Sequence, residues 1–211
     1  TILFRLSPEI LILLIPTLMF ALSFHEFAHA WMANKCGDDT AARMGRLTLN
    51  PMAHLDIMGS AMILFVGFGW AKPVPVDSRY LKNPRKDLMK VAAAGPISNL
   101  LLAMISGMII RLLFSFGLFT NSSFSTLFYY FTQINITLAI FNLIPVAPLD
   151  GSQIFSGYLM KTNPQLAYKI QSYGPQVLFG LILFGYITGF SILWLIMKPF
   201  VEFFMILFIG F

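Results

Sequence analysis

The sequence predicts an all-α polytopic membrane protein with about four full transmembrane helices. Apolar residues make up 57% of the 211 residues and charged residues only 11%, and the mean hydropathy is +0.77. These values lie outside the range of ordinary soluble domains. The formal net charge of +5 comes from basic residues in the loops between apolar runs. Orientation in a membrane explains these residues, so no nucleic-acid partner is expected.

Four apolar runs are long enough to span a bilayer, which takes about 20 helical residues. They cover residues 10–33, 88–116, 124–144 and 175–197. A fifth run, 200–211, follows a proline and is shorter, so we predict a half-inserted or interfacial helix there. Residues 1–211 are together predicted to form a single membrane-embedded domain.

The stretch between the first two spans, residues 45–80, is predicted to associate with the membrane without crossing it. Its apolar part, 57–70, is too short to span but long enough to enter and leave on one side. Pro73 and Pro75 exclude a central strand, so we predict an edge strand or β-hairpin after it. Such an edge could bind an extended peptide by strand addition. A hairpin that only plugs the cavity is equally consistent with the sequence.

The basic residues indicate the orientation of the chain. Seven Lys and Arg residues lie in the segment 36–87, whereas the loop 117–123 has none. By the positive-inside rule the basic segment is cytoplasmic, in a protein of the cell membrane whose amino terminus lies outside. The carboxyl ends of the first and third spans then reach the cytoplasmic side. Residues near these two ends should therefore lie at a similar depth.

The most informative motif lies within the first span, at His25-Glu26-Phe27-Ala28-His29. Two histidines four residues apart share one face of a helix, so both imidazoles can bind one metal ion. Zinc lowers the pKa of a bound water towards about 7, and Glu26 is the candidate base that accepts its proton during attack on a carbonyl carbon. Ionisable groups are costly at this depth and are expected to serve a function. The alternative is hydrogen bonding between helices.

A catalytic zinc usually takes three protein ligands and leaves one position for water. The single cysteine excludes a disulfide and a multi-cysteine site. The remaining candidates for the third ligand are His54, Asp56, Asp150 and Glu202. Asp150 is favoured because two prolines break the chain beside the expected depth of the histidines, and Gly151 lets the backbone approach closely. An N-cap role, at a helix beginning near Ser152, explains Asp150 equally well from these residues alone.

Several separate motifs resemble those of the site-2 protease family and occur in the family's order. They are His25 to His29, Asn50-Pro51 with His54 and Asp56, Gly69 to Val76, Gly95-Pro96-Ile97-Ser98-Asn99, and Asn142 to Gly151. The match covers roughly residues 24–153. The chain resembles a minimal core member of peptidase family M50, without a PDZ or cystathionine-synthase-like domain. Ile57 stands where many relatives have proline, which concerns the local loop rather than the metal site.

The resemblance implies a ligand set and a catalytic base. His25, His29 and Asp150 would hold one Zn²⁺ per chain, and Glu26 would assist attack by the zinc-bound water. Members of this family are intramembrane zinc metalloproteases that cut transmembrane helices of other proteins. The partners implied are therefore the transmembrane helix of a substrate and the lipid bilayer, with the active site towards the cytoplasmic side.

Roles are also expected for three polar residues, and that of Asn142 is implied by the resemblance. Asn142 would bind substrate or the developing oxyanion, for which an amide donor in a dry site is suited. Its alternative is a hydrogen bond between helices. His54 is a candidate for a fourth ligand, an oxyanion donor or a helix-capping side chain. A role in supporting the ligands or at the transition state is favoured, since a fourth protein ligand would displace the catalytic water. Asn99 is expected to help spans pack closely or to hydrogen-bond a substrate backbone.

The expected function is hydrolysis of a peptide bond within or near a transmembrane helix, in regulated intramembrane proteolysis or in clearance of membrane peptides. The alternative is a zinc-binding membrane protein without proteolysis, either a metal carrier or an inactive scaffold. A carrier would place acidic or histidine ligands along several spans, and these are scarce here. A membrane protease of the prenyl-protein-processing type would need a distant glutamate ligand, and Glu202 lacks the surrounding motif.

Overall fold

The computed structural model describes residues 8–66, 69–117 and 123–210. Within these ranges the chain forms nine helices and no strand. They are α1 (Pro8–Cys36), α2 (Thr40–Arg43), α3 (Pro51–His54), α4 (Ile57–Val66), α5 (Pro84–Ser115), α6 (Ser123–Asn142), α7 (Asp150–Leu159), α8 (Pro164–Thr188) and α9 (Ile192–Ile209). Four segments are long and apolar enough to cross a membrane: Leu11–Cys36, Pro84–Ser115, Phe124–Asn142 and Ile192–Ile209. The all-helical class and the number of spans are thus as predicted.

Helix α5 is the centre of the fold. It packs against α1, α6, α7 and α9. It begins four residues before the predicted span, because the Asn83 side chain accepts the N–H of Lys86 as an N-cap and Pro84 occupies the first turn. One end of α5 carries an apolar core shared with α6 and α9, which includes Ile110, Ile136 and Val201. The first three predicted spans coincide with α1, α5 and α6, each of which contains a segment long and apolar enough to cross a membrane.

The predicted fourth span, 175–197, is wrong. Helix α8 ends at Thr188, and Gly189 follows with a φ of +72°, the left-handed conformation that closes many helices. Ser191 then starts α9 by accepting the N–H of Trp194 on its hydroxyl, at 3.1 Å. The apolar run is therefore divided between two helices, and the span-length segment is Ile192–Ile209.

The predicted half-helix at 200–211 is also wrong, although residue 211 lies outside the described residues. Pro199 lies inside α9 and does not end it. A proline removes one backbone hydrogen bond, and a membrane helix tolerates this loss when neighbouring groups compensate. Met197 before the proline and Val201 after it pack against α5 and α6, which holds the helix on both sides of Pro199.

The predicted β-hairpin is absent from the described residues. One isolated antiparallel bridge joins Leu55 to Ala71, beside a hydrogen bond from the N–H of Lys72 to the carbonyl of His54 (2.8 Å). Pro73 and Pro75 have no N–H group, so a ladder cannot continue beyond the bridge. Residues 67–68 of this predicted segment lie outside the described residues. Between the bridged ends, Ile57–Val66 forms the helix α4.

Candidate functional site

Helix α1 brings the two motif histidines together. His25 and His29 lie one turn apart, and their Nε2 atoms are 3.0 Å from each other. Their residues are only 4% and 8% exposed. Two imidazole nitrogens are thus held close together in a buried place, as the spacing of the motif predicts.

Asp150 completes this group from the other side. Its Oδ2 atom lies 3.1 Å from Nε2 of His25 and 3.4 Å from Nε2 of His29. Asp150 is the first residue of α7, and Leu149 occupies the N-cap position without a side-chain bond. The N-cap reading of Asp150 is therefore wrong. A Cβ atom on Gly151 would lie 2.2 Å from the carbonyl oxygen of Leu143, so this glycine permits the close approach that was predicted.

Groups on helix α5 form hydrogen bonds with the Nδ1 atoms of both imidazoles and so hold the two rings in place. Nδ1 of His29 lies 2.7 Å from the backbone oxygen of Val91, and Nδ1 of His25 lies 2.6 Å from Oδ1 of Asn99. A backbone oxygen only accepts, so His29 donates from Nδ1–H and its neutral ring keeps a lone pair on Nε2. A ligating histidine characteristically donates its other N–H in this way.

The space where the three side chains meet is kept open by Gly95 on α5. A Cβ atom at this position would lie 2.5 Å from Nε2 of His25 and 2.5 Å from Nε2 of His29. Two imidazole nitrogens and a carboxylate oxygen are a ligand set typical of catalytic zinc. The donor set and the cleared space together fit a zinc ion. Within the described ranges, His25, His29 and Asp150 form the one such group of three.

Glu26 lies next to this group on α1 and contacts an extended segment. Its Oε2 atom accepts the backbone N–H of Val74 at 3.2 Å. We call residues 71–77, which run beside α1, the strap. The other carboxylate oxygen of Glu26 makes no hydrogen bond within the described part of the chain. The strap therefore orients the candidate base while leaving one of its oxygens free.

The strap is anchored at both ends. At its start, Lys72 donates to the carbonyl of His54. At its end, the N–H of Asp77 donates to Oδ2 of the buried Asp38, at 2.7 Å. The side-chain and backbone N–H groups of Arg79 lower the pKa of the Asp77 carboxyl to about 2. The Asp77 carboxylate therefore stays ionised at neutral pH and binds Arg79, while the backbone N–H of Asp77 donates to Asp38.

Replacing Asp38 by Ala is expected to loosen the strap. Asp38 accepts the N–H groups of both Thr40 and Asp77, and a buried N–H left without a partner costs about 1–3 kcal/mol. Amide hydrogens in residues 71–80 should then exchange at least about tenfold faster, as measured by mass spectrometry. The control is Asp39→Ala, which removes only an exposed ion pair with Arg43. Equal exchange rates in both variants would contradict this role for Asp38.

An apolar cavity of about 430 Å³ lies beside the helix that carries Asp150. Met89 of α5, Leu143 and Pro145 of the connection, and Gly151 and Phe155 of α7 contribute to its wall. Gly151 is the next residue after the carboxylate of the metal group. The cavity and the candidate site are therefore close along the chain.

The other predicted site residues lie outside the metal group. His54 is buried, and its Nε2 donates to the carbonyl of Thr48 at 2.8 Å. Asn142 donates from Nδ2 to the carbonyl of Leu138, one turn back in α6 (3.0 Å). Catalytic roles for both residues stay predictions.

The two remaining candidates for the third ligand have structural roles. Asp56 caps α4 by accepting the N–H of Gly59 at 2.8 Å. Glu202 is exposed on α9 and faces Lys198 at 3.6 Å. Among the sequence candidates for the third ligand, Asp150 is therefore the residue that joins the two histidines.

The sequence analysis missed two residues that support the site. Val91 acts through its backbone oxygen, and no side-chain pattern reports that. Asn135 is a buried amide in α6 that accepts a hydrogen bond from Asn99 at 2.8 Å. A lone asparagine inside an apolar span was an available signal, because such residues are costly in a membrane and usually have a partner.

The site consists of two buried imidazoles and a carboxylate around one cleared space, with a second carboxylate beside them. This arrangement is typical of a metallohydrolase. Here that site is built within helices of membrane-spanning length. The class of protein is therefore a membrane-embedded metalloenzyme. The profile of peptidase family M50, the site-2 protease family, matches residues 13–124 and 110–185. The chain belongs to this family.

Curated relatives agree with the family assignment. The chain is 42% identical over 185 residues to YwhC of Bacillus subtilis, a protein named as a zinc metalloprotease, covering 86% of this chain and 84% of YwhC. It is 32% identical over 148 residues to Rip2 of Mycobacterium tuberculosis, covering 67% of this chain and 55% of Rip2. The Rip2 of Mycolicibacterium smegmatis is 29% identical over 162 residues, covering 74% of this chain and 60% of the relative. Both Rip2 proteins are also named as zinc metalloproteases.

No solved structure matches the chain. The family and the four span-length helices make this chain a multi-pass membrane metalloprotease. The chain spans less than two thirds of the length of the Rip2 proteins of Mycobacterium tuberculosis strain H37Rv and Mycolicibacterium smegmatis.

Proposed function

We propose that this chain is an intramembrane zinc endopeptidase of the site-2 protease type, which hydrolyses a peptide bond within or near a transmembrane helix of another membrane protein. The observation that carries the proposal is the buried group of His25, His29 and Asp150, with Glu26 next to it in a span-length helix. Burying ionisable groups at membrane depth costs free energy, and chemistry at that depth is a reason to retain them.

In this proposal His25, His29 and Asp150 hold one zinc ion per chain. Zinc bound there supplies Lewis acidity that polarises a carbonyl group and acidifies a water molecule. Glu26 accepts a proton from that water and later delivers it to the nitrogen of the leaving amine. The bond from Val74 to Oε2 orients the carboxylate before substrate arrives, which reduces the entropy lost on reaching the reactive arrangement.

Asn142 is proposed to assist with its amide. One N–H of its Nδ2 atom is used within α6, on the carbonyl of Leu138. The second N–H can donate to the oxygen of the scissile carbonyl as negative charge develops there. This role agrees with its position eight residues before Asp150.

For His54 the geometry favours a supporting role over oxyanion binding. Because its Nε2–H donates to Thr48, the neutral ring carries a lone pair on Nδ1 and has no second N–H to offer. Nδ1 is buried and has no hydrogen-bond partner among the residues that the structure describes. The backbone oxygen of His54, in contrast, anchors the strap at Lys72. We therefore propose that His54 acts by supporting the strap beside Glu26.

The substrate proposed is an apolar helix that enters from the lipid bilayer. Two features support an apolar partner: the helices around the site have the length of membrane spans, and the cavity next to Gly151 is lined mainly by apolar side chains. A helix hides its carbonyl groups in internal hydrogen bonds, so the substrate must unwind locally before attack.

We further propose that the single domain 1–211 resides in the cell membrane with its site towards the cytoplasm. The basic segment 36–87 contains seven Lys and Arg residues, and it follows the end of α1 that carries His29. The positive-inside rule assigns such a segment to the cytoplasmic side.

The proposal is tested by removing the metal from the full chain, purified in detergent and mixed with a reporter protein that has one transmembrane helix. We expect about one zinc per chain by elemental mass spectrometry. Cleavage of the reporter should stop after chelation and return with added zinc. Asp150→Ala should abolish the recovery, because it removes the oxygen ligand.

Asp56→Ala is the matched control, since it removes a carboxylate that only caps α4. Cleavage that persists in protein shown to be free of zinc would overturn the proposal. Zinc binding without cleavage would instead favour the non-proteolytic zinc protein.

A further inference from the structure

Three buried polar side chains connect α1, α5 and α6 behind the metal group. Nδ1 of His25 lies 2.6 Å from Oδ1 of Asn99, and Nδ2 of Asn99 lies 2.8 Å from Oδ1 of Asn135. Both asparagines are 0% exposed. Neither side chain can therefore reach solvent, lipid or substrate.

The hydrogen bonds that link these side chains end at two backbone carbonyl oxygens, those of Phe131 and Ala21, which can only accept. These two acceptors fix the direction of every hydrogen bond between them. Nδ2 of Asn135 donates to the carbonyl of Phe131 at 2.8 Å, so its Oδ1 is the end that faces Asn99. Nδ2 of Asn99 donates to that Oδ1 and also to the carbonyl of Ala21, at 3.2 Å. Its Oδ1 is then left to accept the proton of Nδ1 of His25.

This directionality has two consequences. The expectation that Asn99 hydrogen-bonds a substrate backbone is wrong, because both of its N–H groups are used and the side chain is fully buried. The neutral His25 ring is held with its proton on Nδ1, so the lone pair of Nε2 points to the space shared with His29 and Asp150.

We propose that Asn99 and Asn135 are positioning residues for the metal ligand His25, with Asn135 acting through Asn99. The inference rests on the proposed zinc site. Asn99 fixes both the tautomer and the ring orientation, and Asn135 prevents the Asn99 amide from turning over. If that amide turned, its NH₂ group would face Nδ1 of His25, and the proton would be displaced to Nε2, where it blocks metal binding.

Packing alone does not account for the pair of asparagines. Farther along the same two helices, Thr132 lies about one turn from Asn135 and donates to the hydroxyl of Ser106, about two turns from Asn99, at 2.9 Å; both are buried. That pair joins α5 to α6 without contacting the metal group. A hydroxyl pair is thus sufficient to connect these helices, whereas the Asn99 amide also reaches α1 through two of its bonds.

The test is the zinc dissociation constant of the full chain in detergent, measured by competition with a chromophoric chelator. Loss of an outer partner of a ligating histidine typically weakens metal binding about 10- to 100-fold. We expect this loss for Asn99→Leu and at least about a fivefold loss for Asn135→Leu. Asn135→Asp in its neutral form keeps an acceptor oxygen towards Asn99 and an O–H donor towards the carbonyl of Phe131, so its zinc affinity should stay within about threefold of the wild type.

Thr132→Val is the matched control. It breaks the neighbouring buried bond between the same helices, so it should lower the melting temperature without changing zinc affinity. Unchanged zinc affinity in a folded Asn135→Leu protein would overturn the inference, and so would equal weakening by Thr132→Val. If Asn135→Leu does not fold, Asn135→Ala is measured against the same two criteria.

The two proposals fail in distinguishable ways. A wild-type chain that binds no zinc overturns the proposed function and this inference with it. A wild-type chain that binds zinc and is indifferent to Asn135 overturns this inference alone.

Discussion

Replacing Glu26 by Gln is expected to reduce cleavage of a reporter transmembrane helix by roughly 10²- to 10⁴-fold, the usual contribution of a general base. The amide has nearly the same shape and can still accept the N–H of Val74 through its oxygen, so the strap should stay in place. It cannot take up a proton from water. Zinc content should remain at the wild-type level, because His25, His29 and Asp150 are untouched.

The measurement is the ratio kcat/KM for reporter cleavage, with zinc determined on the same sample. Glu202→Gln is the matched control, since it makes the same chemical change at an exposed position of α9. That variant should cleave as the wild type does. Undiminished cleavage by the Glu26→Gln protein with its zinc retained would exclude Glu26 as the base.

Gly95→Ala is expected to weaken zinc binding by roughly a hundredfold. The added methyl group would lie 2.5 Å from Nε2 of both His25 and His29, atoms that must face the metal. Overpacking in a buried site costs about 1–3 kcal/mol, and about 2.7 kcal/mol corresponds to a hundredfold change in an equilibrium constant. We place the effect near the upper end because the clash falls on the ligand atoms themselves.

Gly180→Ala serves as the control for Gly95→Ala. Gly180 is also inside a helix, and a Cβ atom there meets nothing within 4 Å. Zinc affinity should be unchanged, and α8 should gain slightly from the higher helix propensity of alanine. Normal zinc affinity in Gly95→Ala would mean that the histidines do not converge on the space beside Gly95.

The parts of this fold that the sequence predicts are those with a strong local pattern. Helices α1, α5 and α6 follow from unbroken apolar runs, and the pairing of His25 with His29 follows from helical periodicity. The position of Asp150 near the histidines could also be predicted, because the second and third spans return the chain to the same side of the membrane. In the structure its carboxylate lies 3.1 Å from His25.

The errors arise where tertiary contacts outweigh local signals. Pro199 appeared to end a helix, but packing against α5 and α6 keeps α9 intact, while Gly189 makes the break instead. The strap resembled a hairpin because its residues favour extended backbone. Its hydrogen bonds go instead to Glu26, Asp38 and His54, partners that sequence spacing does not reveal.

The part of the site that resists prediction is the support behind the ligands. Gly95 belongs to a motif expected to let helices pack closely, yet a Cβ atom there would clash with the Nε2 atoms of the candidate ligands His25 and His29. Val91 contributes only a backbone oxygen. Neither role leaves a signature in the residue itself, so both depend on knowing which helix faces which.

The 125 residues that separate His25 from Asp150 along the chain have a consequence for biogenesis. Synthesis proceeds from the amino terminus, so α1 reaches the bilayer long before the carboxylate that completes the metal group has been made. A nascent chain that still lacks α7 carries His25, Glu26 and His29 but not Asp150, the third member of the candidate metal group. Under the proposed function, the protein at this stage of synthesis cannot yet hydrolyse a peptide bond, and it gains that capacity only after Asp150 has been made.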